Sequence, residues 1–224
     1  MRNVFILLSV ILIGCTSKPK QRAALVDKTI SYDSLSTTIS NHTDLSNEFD
    51  VLVNFRRYFF KSTNREDSCI AEVLLQDKLS KDTLDTISIT SRFYFDDAFK
   101  NLQNVRSYST KTNVNKQAVD NYYGDIIIAD LNFDNKDDVI VINDAGGNGG
   151  TFYSYYLQNN NRKFIQDSYL TDSMTYFPSK INSSNKTLTT YVHAGTCGLG
   201  EHIYKYSSPN KYAQLSHKII DVCK

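Results

Sequence analysis

The chain has no tryptophan, only 3 prolines and a formal net charge of only +1 in 224 residues. With 25 basic and 24 acidic side chains there is no excess of positive charge to attract nucleic acid, so none is expected as a partner. After the first residues no long apolar run occurs, so no second membrane crossing is expected. Four histidines are present, and neither a Gly-x-Ser-x-Gly nor a His-Glu-x-x-His pattern occurs. His193, Cys197 and His202 are irregularly spaced for a zinc site. The expectation is therefore a protein that is not an enzyme. What is abundant is aromatic: 15 Tyr and 12 Phe. Together with Thr, Val and Ile they fill the apolar segments, and so few prolines leave those segments uninterrupted. That composition predicts an all-β fold.

The first residues stand apart. Arg2 precedes an apolar stretch from Val4 to Gly14. A membrane-spanning helix needs about 20 residues, and this stretch has the length of a signal-peptide core. It ends Leu12-Ile13-Gly14-Cys15, which resembles the bacterial lipobox. The resemblance implies cleavage before Cys15 and lipid on its thiol. It also implies a lipid-anchored place in the cell envelope, periplasmic or outer-membrane facing, with the membrane as a partner. Acyl chains anchor at about 0.8 kcal/mol per buried methylene. Residues 15–48 are rich in Ser, Thr, Asp and Lys without a sustained period and read as a flexible tether. This divides the chain into a signal peptide over 1–14, the tether, and a β domain over 49–224.

Strand signals crowd the second half. Asp125–Ala129, Asp138–Ile142, Thr151–Leu157 and Lys163–Ile165 form one series, with a turn at Asn159–Asn161. Tyr176–Ile181, Thr187–His193, Glu201–Tyr206 and Tyr212–Ile219 form a second. Ala145-Gly146 maps onto Ala194-Gly195 at 194 − 145 = 49, and the same offset carries Gly149 onto Gly198. Two four-stranded units, about 122–170 and 174–223, follow, with a poorer third between Asp50 and Phe95. Units of this size build propeller-like or sandwiched antiparallel β-meanders. Cys15 is assigned to lipid; of Cys69, Cys197 and Cys223, the pair Cys197 and Cys223 falls on neighbouring parts of one sheet and is the favoured disulfide.

One motif carries chemistry. In Asp130-Leu131-Asn132-Phe133-Asp134-Asn135-Lys136-Asp137-Asp138, oxygen side chains fall at positions 1, 3, 5 and 9, the spacing that wraps a hard cation. Asp130, Asn132, Asp134 and Asp138 would supply side-chain oxygens to Ca2+ and Lys136 its carbonyl. Position 6 needs positive φ, which Asn135 tolerates. Val141 stands where an EF-hand has Glu, so the loop belongs between strands. It resembles the calcium loops of FG-GAP and VCBS repeats.

A Gly-rich segment follows: Ala145-Gly146-Gly147-Asn148-Gly149-Gly150-Thr151-Phe152-Tyr153. Calcium loop, strand, Gly-rich loop and aromatic strand together resemble small bacterial lipoproteins that include periplasmic lysozyme inhibitors and immunity proteins against peptidoglycan hydrolases. The resemblance implies a lysozyme-like partner. Gly146, Gly147, Asn148, Gly149, Gly150, Thr151 and Tyr153 would then be the contact loop. Two functions stay open: a calcium-binding envelope lipoprotein that inhibits such a hydrolase, or a calcium-stiffened structural or adhesive envelope module without inhibitory activity.

Overall fold

The computed structural model describes residues 34–60, 65–91, 106–107, 123–145, 150–207 and 211–223. The signal peptide over 1–14, Cys15, the first part of the tether and Gly146–Gly149 lie outside the described residues, as does most of the polar stretch Asp97–Ala118.

The protein is all-β, and its strands follow one another as antiparallel meanders in three sheets. The first holds β1 (Ser34–His42), β2 (Phe49–Phe60), β3 (Arg65–Asp77) and β4 (Thr83–Ser91). The second holds β5 (Arg106–Ser107), β6 (Ile126–Ala129), β7 (Asp138–Ala145), β8 (Thr151–Gln158) and β9 (Phe164–Gln166). Its two-residue β5 is parallel to β6, and the rest is an antiparallel meander of four. One π-helical turn, Leu170–Met174, leads to the third sheet. That sheet holds β10 (Lys180–Asn182), β11 (Thr187–His193), β12 (Gly198–Tyr206) and β13 (Tyr212–Asp221).

Side-chain alternation explains the first sheet. Phe49, Val51, Val53 and Phe55 of β2 are buried, and so are Cys69, Ala71, Val73 and Leu75 of β3. A period of two places each set on one face. The second sheet differs. Ile126 to Ala129 and Val139 to Ile142 are buried without a break, which means that both faces are covered. A single hydrophobic cluster runs from Phe49 and Val73 through Ile127, Val141 and Tyr155 to Leu188 and Tyr204, joining all three sheets. Phe49 meets Phe164 edge-on at 5.3 Å between centroids, and Tyr123 packs on Phe177 at 5.1 Å.

The turns are closed by amide and carboxylate side chains that accept backbone N–H groups, the Asx pattern. Asp77 accepts from Leu79 and Ser80, Asn159 from Asn161 and Lys163, and Asn182 from Asn185. In each turn a basic residue takes positive φ: Lys81, Arg162 and Lys186. The offset of 49 carries Asp138, the start of β7, onto Thr187, the start of β11 (138 + 49 = 187).

The tether needs correction. From Ser34 on it is not a tether: β1 pairs with β2 from Ser34↔Phe59 to His42↔Val51. The reason it carries no sequence period is that it is an edge strand held by its backbone. Its apolar residues face water, Ile39 at 66% and Leu35 at 41% exposed. The poorer unit expected between Asp50 and Phe95 belongs to a full four-stranded sheet over residues 34–91, because β1 completes it.

In the third sheet Cys197 and Cys223 form a disulfide with Cα atoms 5.2 Å apart. Cys197 lies between β11 and β12, and Cys223 just beyond β13. That bond removes Cys197 from any zinc site with His193 and His202. Cys69 is a buried thiol in β3.

Candidate functional site: the acidic loop between β6 and β7

The loop from Asp130 to Asp138 links the buried β6 to the buried first half of β7, so its ends are fixed by the core. Asp130, Asn132 and Asp138 are buried, at 4%, 6% and 0% exposure, while Asp134 is exposed and Lys136 half-buried. The loop coils around its own side-chain oxygens. The Asp134 N–H donates to both Asp130 Oδ1 and Asn132 Oδ1 at 3.1 Å, so these two oxygens lie on one side of the turn. Asn135 N–H donates to Asp130 Oδ2 at 2.8 Å, and Lys136 N–H to Asp134 Oδ1 at 3.0 Å. Asn135 has φ 65° and Phe133 φ 61°. The first suits an Asn. The second is unusual for an aromatic residue, and Phe133 packs on Tyr206 at 6.2 Å.

Asp138 closes the loop. Its Oδ2 accepts from Leu131 N–H and its Oδ1 from Gln158 N–H, both at 2.9 Å. Burial raises its pKa well above the ordinary carboxylate value; the two N–H donors oppose this, and Asp130 and Asp134 add to it. Asp130 is also raised, first by burial and then against its own backbone donors by Asp134. Like charges within reach of one another disfavour ionisation. Lys136 Nζ reaches Asp134 at 3.4 Å and Asn160 Oδ1 at 2.7 Å, but among the described residues no Lys or Arg forms an ion pair with Asp130 or Asp138.

This donor set fits a hard cation in chemistry. Two buried carboxylates, an amide oxygen and an exposed carboxylate sit on one coil, their electrostatics are mutually repulsive, and oxygen is what Ca2+ takes. No group of three or more His, Cys, Asp or Glu placed to hold a metal occurs among the described residues. Beside the loop lies an open groove of ≈ 400 Å³ whose lining includes Asn132, Asp134, Lys136, Gln158, Asn160 and Tyr206.

Partners from far along the chain were invisible to sequence reasoning. Ser46 Oγ donates to Asp137 Oδ2 at 2.6 Å, which ties the segment after β1 to the loop. Gln158 Nε2 donates to Glu48 Oε2 at 3.2 Å. Neither pair carries a local signal, since the residues stand 91 and 110 positions apart.

The contact loop needs correction too. Thr151 and Tyr153 cannot present hydrogen bonds to a partner, because they are 6% and 0% exposed. Strand alternation puts 151, 153 and 155 on the core side of β8. The Tyr153 hydroxyl is already engaged: it donates to Gly124 O at 3.0 Å and accepts from Tyr123 N–H at 3.1 Å. The base of the loop is the pair Ala145↔Thr151, with Gly150 at φ 95°.

Comparison of the chain with protein-family models, with curated proteins and with solved structures finds no match.

Proposed function

We propose that the chain is a lipid-anchored, calcium-binding module of the bacterial cell envelope, a binding or scaffolding protein and not an enzyme. The observation that carries this reading is the Asp130–Asp138 loop: two buried carboxylates brought near each other with only backbone N–H groups to balance them. A calcium ion coordinated by Asp130, Asn132, Asp134, the Lys136 carbonyl and Asp138 would neutralise that charge and lock β6, β7 and the end of β8 together. The lipid anchor at Cys15 is supported by the residues Leu12 to Cys15. Calorimetric titration of the full chain in detergent should give one calcium-binding event that Asp130→Ala removes. Membrane fractionation should release Cys15→Ser into the soluble fraction. A titration without heat would sink the calcium reading, and a Cys15→Ser variant that stays with the membrane would sink the anchor.

Inhibition of a lysozyme-like peptidoglycan hydrolase is a second reading, favoured by the firm base that Ala145↔Thr151 gives the Gly-rich loop. Its contacts reduce to Gly146, Gly147, Asn148, Gly149 and Gly150. Turbidity clearance of peptidoglycan by a panel of lysozyme-like enzymes decides it: no slowing at micromolar protein leaves the calcium-stiffened module alone.

A further inference from the structure

The groove beside the acidic loop, at ≈ 400 Å³, has the size of a small-molecule site, which is roughly 300–1,000 Å³. Five of its lining side chains are carboxamides: Asn132, Gln158, Asn159, Asn160 and Gln166. A carboxamide offers donors and an acceptor without charge. Among the described residues Lys136 is the one cation in the lining, and Asp134 at 3.4 Å and Asn160 at 2.7 Å already engage it. The carboxylates of Asp134 and Asp167 outnumber it, so the groove does not attract an anion. Its aliphatic side chains are Leu157 and Ile165 alone, too few for a lipid tail. Two of the carboxamides are more than nine-tenths buried and each has an unanswered atom. Asn132 is 6% exposed; its Oδ1 accepts from Asp134 N–H, and its Nδ2 has no partner among the described residues. Gln158 is 2% exposed; its Nε2 donates to Glu48, while its buried Oε1 has no partner.

We propose that this groove binds a neutral saccharide through its carboxamides. A hydroxyl donates and accepts at once, so sugar hydroxyls can take the Asn132 N–H and donate to Gln158 Oε1. The second contact needs a twist about the last side-chain torsion of Gln158, which is soft in an amide. Asn160 and Gln166 are exposed and add donors and acceptors at the rim. Tyr206 gives apolar ring area to the C–H face of a sugar. Its ring is already held by Phe133 at 6.2 Å and Tyr212 at 5.1 Å, so it loses little freedom on binding. Leu157 and Gln158 lie on β8, Ile165 and Gln166 on β9, and Tyr206 on β12. Most of the groove therefore stands on strands outside the acidic loop, and saccharide binding does not rest on calcium.

The test is nuclear magnetic resonance of the side-chain carboxamides of the full chain in a sugar-free detergent. The probes are disaccharides of glucose, mannose, galactose and N-acetylglucosamine, each added with calcium and with chelator. At least one should shift the carboxamide signals in both conditions. Gln166→Ala should bind roughly fivefold more weakly, the loss of one hydrogen bond; Gln166 is exposed, so this variant will fold. Asn132→Asp keeps an oxygen for the acidic loop and removes the donor. It should weaken the saccharide and retain the calcium heat, so the two readings fail separately. Four results would each overturn the site: no shift with any disaccharide at millimolar concentration, equal affinity in both variants, binding that chelator abolishes, or the same shifts with inorganic phosphate.

Discussion

The carboxylate of Asp138 accepts the backbone N–H of Gln158 at 2.9 Å, twenty residues along the chain. Through its other oxygen it holds Leu131 at the opposite end of its own loop. One fully buried side chain thus fastens the entry of the β6–β7 loop, the start of β7 and the end of β8. Any ion bound by the loop acts on all three.

The variants of the loop should therefore not behave alike. Asp134 is exposed and its backbone ties are local, so Asp134→Ala should lower the melting temperature in calcium and change little in chelator. Asp130→Ala should lower it in both, because Asp130 also accepts from Asp134 and Asn135. The ligand contribution is about 2.7 kcal/mol at a hundredfold excess over Kd. Thermal melts with calcium and with chelator check this; equal losses for Asp134→Ala in both would contradict it.

Asp77 provides the acid-side dependence. Its carboxylate accepts from Ser80 and Leu79 N–H and pairs with Arg162. The Ser80 N–H first, then Arg162 and the Leu79 N–H, hold its pKa at about 2, below the ordinary 3.8. A group whose pKa is depressed in the folded state stabilises the fold above its unfolded value and loses that contribution as pH falls through the folded one. Urea midpoints should therefore decline between 3.8 and about 2, and Asp77→Asn should flatten that decline. Parallel curves for the two proteins would assign the acid limb to other groups.

Tyr153→Phe tests the assignment of that residue to the core. It removes the hydroxyl that satisfies Gly124 O and Tyr123 N. Leaving buried backbone groups unpaired costs about 1–3 kcal/mol. Chemical denaturation should show that loss with no change in calcium affinity. A variant as stable as the wild type would mean that water reaches the two backbone groups.

Reduction of Cys197–Cys223 should destabilise the third sheet. The bond closes a loop of 26 residues, for which the chain-entropy model gives about 3.5 kcal/mol. Melting with and without reductant measures it, and Cys69→Ser serves as the control that leaves the bond intact. No shift on complete reduction would show that the β12–β13 ladder alone holds the strand ends.

Much of the site was legible because its signal is local. Oxygen side chains at positions 1, 3, 5 and 9 each accept a backbone N–H of their own loop, and Asn135 has the positive φ that its position requires. Strands β7, β8 and β11 announced themselves by continuous or alternating apolar residues. Cys197 and Cys223 could be paired from strand order alone, since consecutive strands of a meander are neighbours. β1 could not be read, because an edge strand with exposed Leu35 and Ile39 buries nothing that would impose a period.

The sequence by itself determined the strand-rich composition, the meander order and the chemistry of the acidic loop, all of which depend on residues close together in the chain. Only the tertiary structure decided that Tyr153 belongs to the core. It alone set Ser46 against Asp137, Asp77 against Arg162, and His202 against His217. Those contacts depend on strand register and on how the sheets share one core, and a shift of one residue would turn each side chain to the other face.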